Sequence, residues 1–301
     1  MRRTVHSAPT GDLDIVAAAL AAIAGSAEAR ADTGKALLAM VDKGAGIDTD
    51  GLVISEWRGG SVHGRLVTAA GAGVDVLALY LHGRRFQHRE PPEVFAVPLA
   101  RALRIPVLLL EYRLAPVDPY PAALEDVLVA YRALLAQGRP PERIIIVGHS
   151  AGASLALSAL LELTATGAPL PAGAVTVSPI TDFTFSGASI TANAGKDVIS
   201  YPEAVTVREA YLADADPATS PASPLFGDPA GLPPLLMACG GDELLRDDTD
   251  RFAARADAEG VTVELDVYEG MPHGFPLLPT RTASDLLVRV AEFVDSRIPR
   301  L

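Results

Sequence analysis

Apolar residues follow two alternating rhythms along this chain. Residues 74–81, 106–112, 144–147, 174–178, 234–238 and 261–268 form short runs rich in Val, Ile and Leu with few polar interruptions. Such runs read as strands buried on both faces. Residues 93–103, 122–135, 151–163, 251–258 and 283–294 between and after them carry apolar stripes at helical spacing. Earlier, residues 52–57 and 65–68 read as strands joined by a turn at 58–61. Residues 11–41 read as two alanine-rich helices, the first capped by Asp12 or Asp14 and the second by Asp32 or Thr33. Two early strands followed by repeated strand-helix-strand units predict an α/β protein with a mostly parallel sheet covered on both faces. Residues 181–224 break the rhythm, with a helix expected at 203–212. Long inserts of this kind usually serve as lids or binding loops.

Composition narrows the picture. The 301 residues are 49% apolar, enough for a sizeable core, and the formal net charge is −12. That balance excludes nucleic acid as a partner, since phosphate contacts need a basic face, and disfavours anionic membranes. A single cysteine, Cys239, rules out an internal disulfide framework and fits the reducing cytoplasm. No charge-free apolar run approaches the ~20 residues that a membrane-spanning helix needs. Met1-Arg2-Arg3 followed by apolar residues 15–23 imitates an export signal, but Asp12 and Asp14 on its flank argue against that reading.

The chemistry centres on Gly148-His149-Ser150-Ala151-Gly152, which joins the 144–147 strand to the helix after it. This G-x-S-x-G pattern, in a strand-turn-helix context, marks a nucleophile elbow. A turn sharp enough to lift a serine hydroxyl off the sheet crowds the residues two before and two after it, so both are glycine. A serine needs a base, and the base needs a carboxylate to orient it. His273 is the only histidine after Ser150, and it lies in a loop just beyond a strand. Asp242 follows the 234–238 strand and its glycine turn most closely and is the expected acid; Glu243, Asp247 and Asp248 compete with it. Amides of Ala151 and of the loop after residue 81 should form the oxyanion hole.

At this point the chain resembles the hormone-sensitive-lipase-like group of α/β-hydrolases, especially its bacterial carboxylesterase, acetyl-hydrolase and ε-lactone-hydrolase members. The resemblance is carried by Tyr80-Leu81-His82-Gly83, Glu111-Tyr112-Arg113-Leu114-Ala115-Pro116, Tyr120-Pro121-Ala122-Ala123-Leu124-Glu125-Asp126 and Gly148 to Gly152. Ser223-Pro224-Leu225-Phe226, Gly241-Asp242-Glu243-Leu244-Leu245 and Gly270-Met271-Pro272-His273-Gly274-Phe275 extend it. It implies an α/β-hydrolase fold with an eight-stranded sheet, flanking helices and a helical cap. The expected division is 1–50 as N-terminal helices of the cap, 51–180 and 225–301 as the catalytic core, and 181–224 as the cap insert. It further implies a serine esterase with Ser150, Asp242 and His273 as triad, and the expected function is cytoplasmic hydrolysis of small to medium acyl esters or lactones. No metal or organic cofactor is expected. The resemblance also suggests a homodimer paired through the last strand and closing helix. Phe86, His149, Phe183 and Tyr211 are candidates for the substrate pocket.

Two departures stand out. The family motif is His-Gly-Gly-Gly, and Arg84 and Arg85 replace its last two glycines. Gly83, Arg84 and Arg85 still carry backbone donors, but a loop that needs positive φ there would be strained. Three readings of the arginines stay open: a weakened oxyanion hole, an arginine paired with an acidic group of the substrate, or two solvated side chains. The first supports an alternative function, a biosynthetic acyl transferase, lyase or cyclase on the same fold. A non-catalytic ligand binder is the third functional reading, against which the intact Ser-Asp-His set argues. The second departure is His149, where Asp is common; its side chain should point away from Ser150 Oγ and play a structural part. His82 is expected to shape the oxyanion loop, and Arg113 to brace the sheet near it.

Overall fold

The computed structural model describes residues 1–25, 49–73, 75–91 and 94–298. The second predicted helix, at 32–41, and the expected starts at Val74 and Glu93 lie outside the described residues. The strands are β1 (Arg2–Ser7), β2 (Leu52–Gly59), β3 (Val62–Ala69), β4 (Leu77–Leu81), β5 (Val107–Leu110), β6 (Ile144–His149), β7 (Gly173–Val177), β8 (Leu235–Gly240) and β9 (Val263–Glu269). They form one sheet in the order β1-β9-β8-β7-β6-β4-β5-β3-β2. β3 runs antiparallel to β2 and β5, and every other pairing is parallel.

Every residue of β4, β5, β6, β7 and β8 is buried, as uninterrupted apolar runs require. Alternate side chains go to opposite faces. Leu77, Leu79, Ile144, Ile146, Leu235 and Met237 join one core with α3 (Ala122–Ala136), α4 (Ala151–Ala165) and α7 (Arg246–Ala258). Ala78, Tyr80, Ile145, Val147, Leu236 and Ala238 join the other with α1 (Thr10–Gly25), α2 (Ala96–Leu103) and α8 (Arg281–Arg297). The sheet is thus sandwiched as the strand-helix alternation predicted.

The expected count of eight strands is corrected to nine among the described residues, and the addition is β1. Its sequence, Arg-Arg-Thr-Val-His-Ser, has no buried residue and gives no hydrophobic signal. Its place comes from main-chain pairing with β9, in register from Arg2 opposite Glu264 to Ser7 opposite Glu269. The outer edge of β9 is therefore occupied by the chain itself, so two copies cannot pair edge to edge through that strand. The next segment also differs from its expected role. Asp12 does not close its own helix: its carboxylate accepts the Arg281 and Thr282 amides and the Thr282 hydroxyl, at 3.1, 2.8 and 2.6 Å. It thereby caps the closing helix α8 from across the fold. Asp12→Ala should cost about 1–2 kcal/mol, a drop of roughly 2–8 °C in Tm, read by thermal unfolding with activity retained.

The insert carries α5 (Ser189–Ala192) and α6 (Tyr201–Leu212). α6 starts earlier than predicted because Ser200 and Glu203 form a capping box ahead of Tyr201. Two competitors for the acid role fasten this insert. Asp248 Oδ2 accepts the amides of Thr181 and Asp182, at 2.7 and 2.9 Å, and Asp247 Oδ2 accepts that of Ser189 at 3.0 Å. Burial pushes the Asp248 carboxyl up to about 7. Among the described residues no helix is long and apolar enough to cross a membrane.

Candidate active site

Ser150 stands at the β6–α4 junction with φ 53° and ψ −122°, a conformation disfavoured for a side-chain-bearing residue. Its amide donates to Val177 O at 2.8 Å, which anchors the turn to the neighbouring strand. Gly148 and Gly152 allow the bend. A Cβ on Gly148 would lie 2.4 Å from Gly152 O, and one on Gly152 would lie 1.9 Å from Leu81 O. Ala151 is the first residue of α4, so its amide has no intrahelical acceptor.

The loop after β9 brings His273 to the serine. Ser150 Oγ donates to His273 Nε2 at 2.8 Å, and both residues are buried. On the far side of the ring the expected acid is corrected. His273 Nδ1 donates to Glu243 Oε2 at 3.3 Å. Glu243 is wholly buried, and its Oε1 accepts from Ser178 Oγ at 2.6 Å and from the Gly240 amide. Asp242, half-buried, joins the His273 loop through its amide, which donates to Met271 O at 3.1 Å. The reason is the passage of the chain after β8. A Cβ on Gly240 would meet Met271 O at 2.1 Å, and one on Gly241 would meet Glu269 Oε2 at 2.6 Å. Two glycines thus slide past the histidine loop before a side chain can turn inward, and Glu243 makes that turn. The one hint in the sequence is its place directly before Leu244-Leu245, which enter the core.

Burial lowers the proton affinity of His273, but the hydrogen bond and charge of Glu243 and the charge of Asp197 outweigh it. Its pKa lies above the ordinary imidazole value of 6.5. Asp197 had no signal in the sequence, being one acidic residue in an irregular insert. It accepts the His273 amide at 2.7 Å and the Leu244 amide at 2.6 Å.

Gly83 lies against the nucleophile: a Cβ there would be 3.0 Å from His149 O and 3.1 Å from Ser150 Cβ. Arg84, Arg85 and Phe86 have φ of 66°, 64° and 61°. The loop does take the left-handed conformation, at about 1–2 kcal/mol for each side-chain-bearing residue. Two contacts offset this. Arg85 Nη2 donates to Glu203 Oε1 of the capping box at 3.1 Å. Phe86 stacks on Tyr211 with ring centroids 3.7 Å apart. Arg85, with a fifth of its side chain exposed, ties the loop to α6.

Phe86, Phe183 and Tyr211 do come together, yet not as a pocket wall. Phe86 and Phe183 have no accessible surface and Tyr211 keeps 2%. Their rings fill the seam between the loop and the insert, leaving none to offer a ligand. His149 is buried beside Phe95 and His273, with ring centroids 5.9 and 6.1 Å away. Burial and the neighbouring His273 take its pKa down to about 3, so it stays neutral. That fits the structural part expected of it rather than a substrate contact. His82 shapes the loop: Nδ1 donates to Gly83 O at 3.0 Å, and Tyr112 stacks on the ring and donates to His82 O at 2.7 Å. Burial holds it near a pKa of about 4. Arg113 braces the start of α3 rather than the sheet, through Asp126 at 3.0 Å and Glu125 at 3.0 Å.

A strained serine on a strand-to-helix turn, bonded to an imidazole that is bonded to a carboxylate, defines the α/β-hydrolase class. The profile of the alpha/beta hydrolase fold family matches residues 78–277. An acetyl-hydrolase of Streptomyces hygroscopicus is 40% identical over 208 residues, covering 67% of this chain and 70% of that protein. An esterase of Acinetobacter venetianus is 34% identical over 237 residues, covering 75% and 77%. The crystal structure of an esterase from the bacterial hormone-sensitive lipase family superimposes with a TM-score of 0.87 at 35% identity, covering 97% of this chain and 99% of that one. The chain belongs to the α/β-hydrolase family, in its hormone-sensitive-lipase-like esterase group.

Proposed function

We propose that the protein is a serine esterase that hydrolyses small to medium acyl esters, lactones included, through an acyl-enzyme on Ser150. The observation that carries this is the buried Ser150 Oγ to His273 Nε2 bond of 2.8 Å, continued to Glu243. Ser150 Oγ attacks the ester carbonyl as Nε2 takes its proton. Glu243 fixes the Nδ1–H tautomer and stabilises the imidazolium. Amides of Gly83, Arg84, Arg85 and Ala151 receive the negative charge on the carbonyl oxygen. The imidazolium then protonates the departing alkoxide. In the second half a water gives its proton to His273 as its oxygen attacks the acyl carbon, and Ser150 leaves with that proton. The two similar proteins named an acetyl-hydrolase and an esterase support the ester class. The N-terminal helix and the insert form the cap in this reading, and the cytoplasm is its compartment, supported by the single buried cysteine.

The alternative of a transferase, lyase or cyclase rested on a damaged oxyanion loop. The Arg85–Glu203 and Phe86–Tyr211 contacts hold that loop in the left-handed form glycine would adopt freely, which removes its support. The test is a panel of p-nitrophenyl acyl esters and lactones. Acetate and butyrate esters are turned over, and kcat/KM rises through an acid limb centred above pH 6.5. The sign follows from chemistry: the base works only when neutral, and a raised pKa keeps it protonated to higher pH. No turnover of any ester or lactone would refute the reading.

A further inference from the structure

We infer that Asp197, supplied by the insert, is a positioning residue of this esterase: its carboxylate locks the acid loop to the histidine loop and places a second negative charge behind His273. This rests on the Ser150–His273–Glu243 reading above.

The geometry is specific. Asp197 lies between α5 and α6 and is buried. Oδ2 accepts the amide of Leu244, the neighbour of Glu243, at 2.6 Å. Oδ1 accepts the amide of His273 itself and that of Val198, each at 2.7 Å. Three short amide donors on one carboxylate are the surroundings of an anion. Asn193 works beside it: Nδ2 donates to Glu243 O at 2.9 Å and to Gly241 O at 3.2 Å. The insert thus holds the carbonyl of Glu243 and the amide that follows it. Main-chain bonds from Gly241 to Tyr268 and from Asp242 to Met271 already join the two loops near their strands. Asp197 joins them at the level of the reacting side chains, where the 3.3 Å between Glu243 and His273 is set.

The charge matters separately from the clamp. Among the described residues, the charged or titratable groups that act on His273 are Glu243, Asp197, Arg85 and the neutral His149, and Arg85 is itself paired with Glu203. Burial pushes the Asp197 carboxyl up to about 7, while His273 and the bound amides act the other way. His273 becomes an imidazolium in both halves of the reaction, and a second carboxylate behind it, when ionised, lowers the energy of that state. Because this anion belongs to the insert, seating the insert also sets the basicity of the histidine.

Asp197→Asn removes the charge at nearly constant size and turns an N–H against one of the amide donors. On a p-nitrophenyl ester we expect kcat to fall about 10- to 100-fold with little change in KM. The acid limb of kcat/KM should move down by roughly one pH unit, since the imidazole loses a neighbouring anion. Asn193→Ala frees the Glu243 and Gly241 carbonyls from the insert without touching the charge, so kcat drops severalfold and the limb stays in place. An unmoved limb in Asp197→Asn reduces the residue to a structural staple and overturns the electrostatic part. A parental kcat in Asp197→Asn overturns the clamp, and should that variant not fold, a parental kcat in Asn193→Ala overturns the insert's hold on the acid loop. A fluorophosphonate probe keeps the two readings apart. Failure to label Ser150 in the parent enzyme would sink the esterase assignment itself, whatever Asp197 does.

Discussion

Ser150→Ala should lower kcat for p-nitrophenyl butyrate by roughly 10⁵- to 10⁶-fold, leaving KM and the fold nearly unchanged. Alanine keeps a Cβ in the same left-handed backbone, at φ 53° and ψ −122°, so the turn keeps its strain. The amide of residue 151 and the Gly83-Arg84-Arg85 loop keep their places as well. What disappears is the oxygen 2.8 Å from His273 Nε2, and with it the acyl-enzyme. Residual catalysis of about 10³–10⁴ over water would remain from the oxyanion donors and binding alone. Steady-state turnover beside an unchanged circular-dichroism melt separates the chemical loss from unfolding. Unchanged turnover would remove Ser150 from the reaction.

Glu243→Gln should cost about 10³- to 10⁴-fold in kcat, while Asp242→Asn stays within about twofold of the parent. Glutamine fits the same space, and its carbonyl still accepts from Ser178 Oγ and the Gly240 amide. Its NH₂ then faces His273 Nδ1 and favours the tautomer with the proton on Nε2, where it cannot receive one from serine. Loss of the anion also destabilises the imidazolium. Asp242 meets the histidine loop through its main chain, which asparagine preserves. Measuring kcat/KM for both variants on one ester decides between neighbouring carboxylates. The reverse ranking would return the acid role to Asp242.

Different parts of this site were legible in the sequence to different degrees. The elbow was plain because steric crowding within a few residues leaves only glycine at positions 148 and 152. His273 followed from chain order. The acidic segment was legible, but the carboxylate that meets His273 lies one residue beyond the expected Asp242. Adjacent residues in a turn point in different directions, and which one faced inward depended on how Gly240 and Gly241 passed Met271 and Glu269. Asp247 and Asp248, chemically equal candidates, proved to fasten the insert. Arg84 and Arg85 in place of glycines left three readings open: damage to the loop, an acid-binding side chain or two solvated ones. Arg85 meets its partner 118 positions along the chain, a separation at which local pattern says nothing. Phe86, Phe183 and Tyr211 have pocket-like chemistry, but packing against one another consumed their surface.

By itself the sequence determined the parallel sandwich, through apolar runs and helical stripes, and the serine's turn, through steric limits that act between near neighbours. It also determined the class of chemistry, since a hydroxyl, an imidazole and a carboxylate in this order have few other uses. Only the tertiary structure decided that β1 covers the sheet edge, that Glu243 and not Asp242 reaches the histidine, and that Asp197 joins the site from the insert. Those outcomes depend on directional contacts a few ångströms long between segments far apart in the chain. A one-dimensional pattern records which groups are available, but not which of them the folded backbone turns toward each other.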